Sequence, residues 1–239
     1  MKRTTIFALV AAAILVGLTV FIVSMKDDGV ALIEETGGAS TPATAEARTP
    51  APSAGPGVSM DELLAPGALP DQVLGNANAP VTVVEYASLS CSHCREFHDK
   101  TFPEVQKRLI DTGKIRFIYR DFPLDQYATA GAMLARCSEG KYFPIVDAFF
   151  AQQDGLLSSG ENAFKWLQDF AKQVGFTQET MEACLSNQGL MDNILAVRQR
   201  ASEKFGVSST PTFFFNGKIK RGALTIEEFE AELATLPKN

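Results

Sequence analysis

The chain has no run of lysine or arginine: 22 basic residues are scattered among 28 acidic ones, for a net charge of −6. Neutralising a phosphate backbone takes clustered cations, so a nucleic-acid partner is excluded. Histidine is scarce, and the only two, His93 and His98, both stand beside the single Cys-x-x-Cys pair. A structural zinc cage usually draws its ligands from two separated knuckles. Here Cys91, His93, Cys94 and His98 lie within eight residues, Cys94 and His98 share a helical face while His93 projects elsewhere, and no further histidine or cysteine pair can close a tetrahedron. A redox-inert metal-binding module is therefore a remote alternative. One very apolar N-terminal segment inflates the 46% hydrophobic content, and the 239 residues leave room for one ordinary domain plus appendages.

What is present centres on Cys91-Ser92-His93-Cys94, which follows the apolar run Val81–Ala87. Where a strand gives way to a helix, one thiolate can attack a disulfide and its neighbour can resolve the mixed intermediate. The first-turn N–H groups of a helix have no partner within it, so a sulfur placed there sits in a field that favours its anion. A stabilised thiolate makes the dithiol more stable and the disulfide more oxidising. His93, able to donate a hydrogen bond or carry charge, pushes further in that direction. A purely structural disulfide is the weaker reading, because so short a loop removes little unfolded-state entropy.

Lys2 and Arg3 precede an uncharged run over residues 6–23, about 18 residues of hydrocarbon-compatible helix. Val23-Ser24-Met25 fits a small-x-small cleavage site badly, so residues 1–25 are expected to be an uncleaved inner-membrane anchor, with a cleaved signal peptide as the alternative. Both place the rest of the chain outside the cytosol. Residues 26–58, rich in Pro, Ala and Thr without a periodic apolar face, are expected to be a disordered tether, either giving reach toward clients or serving as a plain spacer.

The domain is expected over residues 59–239. Ser59-Met60-Asp61-Glu62 has the pattern of a capping box opening a short helix. Val81–Ser88 reads as a central strand buried on both faces, with Glu85 its single charge. Glu85 either lies beneath the redox pair and exchanges protons with a buried Cys94, or reaches solvent or pairs with Arg116 or Arg120 on the next strand. A helix to Thr112, interrupted at Pro103, leads to a parallel strand over Lys114–Arg120, and His98 reads as a helix-face residue.

From Asp125 to Phe205 there is no strand pattern; helices are expected at about 126–138, 142–152, 162–173, 178–186 and 190–205. Leu134, Phe149, Phe150, Trp166, Leu167, Phe170 and Leu195 recur at helical spacing as their shared core, a stripe that reads as packing rather than a cofactor slot, and no cofactor is expected. In an oxidising compartment Cys137 and Cys184 are expected to be joined, the alternative being two buried free thiols. Asn216-Gly217 predicts a hairpin, and Thr225-Ile226-Glu227-Glu228 a capping box for the last helix. A proline opening a central strand removes a ladder donor, which a cis Thr210–Pro211 bond accounts for.

Glu85 through Cys94 with His93 before the second cysteine, the helical block, and Thr210-Pro211 followed by a strand and Asn216-Gly217-Lys218 together resemble the DsbA-like thiol:disulfide oxidoreductases of the thioredoxin superfamily, over residues 70–239. The resemblance implies an α/β thioredoxin fold with an all-helical insertion at about 125–206, Cys91 as attacking nucleophile, Cys94 as resolving thiol, and a cis Pro211 facing the pair. It also implies that Thr210 offers backbone groups to an extended client and that Glu85 is a buried proton relay. Ser92 departs from the proline of the best-known members, Thr before the cis proline is shared with isomerases, and the anchor is absent from the soluble members. The expectation is a periplasmic oxidase of reduced exported proteins, reoxidised by a membrane redox partner and monomeric, with a reductase or isomerase of the same fold as the alternative.

Overall fold

The computed structural model describes residues 57–237. The expected anchor, and the tether apart from Gly57 and Val58, lie outside the described residues. Among the described residues no helix is long and apolar enough to cross a membrane.

Five strands, β1 (Gln72–Leu74), β2 (Val81–Ala87), β3 (Ile115–Asp121), β4 (Thr212–Phe215) and β5 (Lys218–Arg221), form one sheet in the order β1-β3-β2-β4-β5. β2 and β3 are parallel, and every other pairing is antiparallel. The parallel pair is joined by the expected helical crossover. Short β1 went unseen in the sequence, since three residues between Pro70 and Gly75 carry too little periodicity to register. Between β4 and β5, Asn216 and Gly217 both take positive φ, 45° and 88°, the left-handed pair that a two-residue hairpin turn requires.

Strand alternation divides the core. Val83 and Ala87 of β2, Phe117 and Tyr119 of β3, and Phe213 and Phe215 of β4 face the larger cluster, with the crossover and most of the helical block. Val84 and Tyr86, Ile118 and Phe214 face a smaller cluster that holds Leu63, Ala201 and Phe205. Covered on both sides, β2 is buried from Val83 to Ala87, as its near-continuous apolar pattern predicts.

The crossover begins as α2 (Ser92–Glu96), widens into a π turn over Phe97–Thr101, continues as α3 (Phe102–Val105) and ends in a second π turn over Gln106–Ile110. Pro103 explains the first widening: it has no N–H to offer the preceding turn, and its ring would collide with the carbonyl four residues back. The Phe102 N–H reaches five residues back to the Phe97 carbonyl, which relieves the crowding.

The segment between β3 and β4 is helical, with α4 (Gln126–Arg136), α5 (Tyr142–Ala151), α6 (Gln153–Ser158), α7 (Ala163–Gln173), α8 (Gln178–Leu185) and α9 (Gln188–Phe205). α6 was not expected. Leu195 is a correction: it is 39% exposed, because α9 turns Ile194, Ala201 and Phe205 inward at spacings of seven and four, and the residue after Ile194 points off that face. Two further helices, α1 (Met60–Leu64) and α10 (Ile226–Ala234), flank the domain. Thr225 and Glu228 form the expected capping box on α10. Ser59 makes no side-chain cap on α1; that single turn is held instead by buried Leu63 and by Arg200, whose guanidinium donates to the Glu62, Ala65 and Pro66 carbonyls.

Gly131 lets α4 approach both α5 and the turn that follows β2. A Cβ there would stand 2.6 Å from Phe149 Cε2 and 2.8 Å from Leu89 Cδ1. Gly131→Ala gains about 1 kcal/mol of helix propensity and loses roughly 1–3 kcal/mol to overpacking. Net destabilisation, read from urea unfolding midpoints, is the expected outcome; equal or greater stability would mean that the neighbours yield without strain.

Candidate active site

β2 ends at Ala87, and the three residues after it turn the chain so that Cys91 becomes the N-cap of α2, with φ −83° and ψ 120°. Its N–H donates to the Ser88 carbonyl and its own carbonyl accepts from the Arg95 N–H, both at 3.1 Å. The Cys91 thiol is half-buried and donates to the Thr210 carbonyl at 3.3 Å, and the Thr210–Pro211 peptide bond is cis. Cys94, one turn into the helix, is wholly enclosed, and its Sγ accepts from the Ser88 N–H at 3.5 Å. Both sulfurs are free thiols.

The two thiols are driven apart. Cys91 is lowered to about 5, chiefly by the hydrogen bond from Cys94; burial opposes this, and the Thr210 side chain and the Cys94 and His93 N–H groups add to it. Cys94 is pushed well up, first by burial, then by its bond to Cys91 and the nearby Glu85 charge. The pair therefore holds an outer sulfur that is readily an anion and an inner sulfur that keeps its proton. His93 is exposed, with Nδ1 3.8 Å from Glu96.

Glu85 is fully buried, in register between Tyr119 on β3 and Phe213 on β4. Neither arginine meets it. Arg120 projects from the opposite face, where it grips Asp71 with two hydrogen bonds and donates to the Tyr86 hydroxyl, and Arg116 has the same parity on the strand. The partner is His98, whose Nε2 lies 3.0 Å from Glu85 Oε2, while Oε1 has no hydrogen-bond partner among the described residues. His98 lies on the helix face that turns inward: its side chain is 3% exposed and stacks on Phe150 at 4.5 Å between ring centroids. Its position four residues after Cys94, on the face that turns inward, was the signal that the sequence offered. With His98 turned in and His93 turned out, the four side chains around the pair do not converge, and among the described residues no three His, Cys, Asp or Glu groups are placed to hold a metal.

Two features come from the helical block. Gln153, at the start of α6, donates from Nε2 to the Leu89 and Cys91 carbonyls, and its neighbour Asp154 pairs with Arg95 of α2. Nothing in the sequence marks Gln153, because a polar residue in a six-residue helix belongs to no apolar period. Cys137, at the end of α4, and Cys184, in α8, form a disulfide with Cα atoms 6.1 Å apart.

Residues 68–234 match the sequence family described as Thioredoxin. Among solved structures, Wolbachia pipientis alpha-DsbA1 is 33% identical, with a TM-score of 0.67 over 74% of this chain and 94% of that one. A Rickettsia bellii protein, a candidate protein-disulfide oxidoreductase, is 32% identical over 62% of this chain, and the match spans only 57% of that relative's length. Disulfide bond formation protein D of Bacillus subtilis is 26% identical over 66% of this chain and 73% of its own.

Because the thiolate is the nucleophile, alkylation of Cys91 in the dithiol protein follows its ionised fraction. With the thiol lowered to about 5, the rate is expected to stay flat from about pH 8 down to 6, then fall as pH drops through the titration, roughly tenfold per unit below it. Cys94→Ala removes the largest cause and moves the inflection up by about one unit or more. An inflection in the ordinary thiol range in the wild type would refute the assignment.

Proposed function

Since the chain belongs to the thioredoxin family, in its DsbA-like branch of disulfide oxidoreductases, we propose that it is a periplasmic oxidase that introduces disulfides into exported proteins through Cys91 and Cys94. The observation that carries this direction is the lowered Cys91 thiol, since a thiolate favoured only after reduction makes the disulfide the reactive form. A client thiolate attacks Cys91 Sγ, the Cys91–Cys94 bond breaks, and Cys94 leaves as a thiolate that takes up a proton. A second client thiol, deprotonated, then attacks the client sulfur of the mixed disulfide and expels Cys91 as the thiolate. The client ends oxidised and the pair reduced, and a membrane redox partner restores the disulfide.

Cys94 emerges in a fully buried place, so its proton must come from inside the protein. Glu85 serves as the relay, with His98 holding one carboxylate oxygen and leaving the other unpartnered. Thr210 presents its backbone beside Cys91 for an extended client. The Cys137–Cys184 bridge braces the helical insertion, residues 6–23 anchor the chain in the inner membrane with the domain in the periplasm, and the protein works as a monomer.

The deciding measurement is the equilibrium reduction potential of the pair in the full chain, in glutathione buffers. A value near or above about −180 mV is expected, whereas one near about −270 mV would make the dithiol the working form and the protein a reductase. Glu85→Gln is expected to slow Cys94-dependent exchange with a model peptide by about 100-fold, the low end of a general-acid contribution. A rate unchanged from pH 5 to 8 would remove the relay.

A further inference from the structure

Gln153 is wholly enclosed, although the next residue of α6, Asp154, is exposed. Its Nε2 donates to the Leu89 carbonyl at 2.7 Å and to the Cys91 carbonyl at 3.0 Å. Its Oε1 is buried with no hydrogen-bond partner among the described residues. A bare buried amide oxygen is destabilising, so the residue's place here rests on what its nitrogen does. The two carbonyls it holds stand on either side of Ser90, in the turn that delivers Cys91 to the helix start. The Cys91 carbonyl takes Gln153 as a second donor beside the Arg95 N–H.

The helix that carries Gln153 is itself locked. Gly155 lies so close to the Trp166 indole that a Cβ would stand 2.6 Å from Nε1. Leu156 is buried, and Asp154 pairs with Arg95 across to α2. α6 therefore cannot shift along its neighbours without disturbing the turn before Cys91.

We infer that Gln153 is a positioning residue for Cys91: the helical insertion holds its amide against the Leu89 and Cys91 carbonyls, which orients the N-cap so that the first-turn N–H groups face the sulfur. A donor on a peptide carbonyl also polarises that peptide, which strengthens the bonds around it. This inference rests on the reading of Cys91 as the attacking sulfur. It gives the insertion a part in the chemistry as well as in packing.

The test uses Gln153→Met in the full chain, which fills a similar volume and has no donor. Two quantities are read, the pH at which the Cys91 thiolate half-forms and the equilibrium constant with glutathione. Loss of the hydrogen bonds is expected to raise the Cys91 titration by about half to one pH unit and to shift the glutathione equilibrium by about 3- to 10-fold toward the protein disulfide. A merely structural role would lower the unfolding midpoint and leave both quantities alone. Should Gln153→Met fail to fold, Gly155→Ala, which displaces α6 from Trp166, is expected to raise the titration in the same direction. A folded variant with the wild-type titration and equilibrium overturns the role of Gln153 and leaves the oxidase reading standing. A wild-type protein whose Cys91 titrates as an ordinary thiol and does not exchange with glutathione overturns both.

Discussion

The hydrogen bond that the Cys94 thiol gives the ionised Cys91 sulfur is the interaction on which the rest of the site depends. It joins Cys94, which has no exposed surface, to Cys91, which is half-exposed, and it is the largest cause of the lowered Cys91 thiol. Such a bond is worth more in a dry, low-dielectric place than in water, and it is asymmetric: one sulfur must be the donor and the other the anion. Burial settles which, because enclosing Cys94 penalises its charge while Cys91, at the helix start, meets unpaired N–H groups. The division into an outer sulfur that is readily an anion and an inner one that keeps its proton follows from depth together with the hydrogen bond between them and the N–H groups at the helix start.

Depth in turn is set by the sheet. β2 is central, with β3 on one side and β4 on the other, so its odd-numbered residues point into the larger core beneath the crossover helix. Val83 and Ala87 are at home there, whereas Glu85 at the same parity is a carboxylate in an apolar layer. Its neighbours on the flanking strands are Tyr119 and Phe213, and its side-chain hydrogen-bond partner among the described residues comes from the crossover, where the π turn over Phe97–Thr101 carries His98. Pro103 and His98 are linked in this way, since the proline that forces the wider turn belongs to the same stretch of helix that meets the buried acid.

The helical insertion closes the site from the third side. Gly131 of α4 lets Phe149 and Leu89 approach, α6 delivers Gln153 under the Cys91 turn, and the Cys137–Cys184 bond ties α4 to α8. A disulfide spanning 47 residues restricts the unfolded chain, and in the chain-entropy model such loops are worth about 4 kcal/mol. The redox pair thus sits where a strand, a crossover helix and an inserted helix meet. Each contributes a buried polar group to its surroundings: Glu85 from the strand, His98 from the crossover and Gln153 from the insertion.

Much of this was legible in the chain. The apolar run before Cys91, the alternation before Asp121, the Asn216-Gly217 turn and the long stretch of helical periodicity from Asp125 to Phe205 determine an α/β frame with a helical insertion, because each is a local pattern with a local physical cause. The Cys-x-x-Cys at a strand-to-helix junction likewise announces its chemistry without reference to anything distant. What only the tertiary structure decided is which side chains meet across elements. Glu85 finds His98 and not an arginine, because β2 and β3 pair in a register that sends Arg116 and Arg120 to the other face. Leu195 lies at the surface one position from a core residue, and Gln153 reaches the Cys91 carbonyl from 62 residues away. Sequence determines periodicity, which is a property of neighbours; burial and partnership are properties of three-dimensional packing, and they set the charge on the sulfurs.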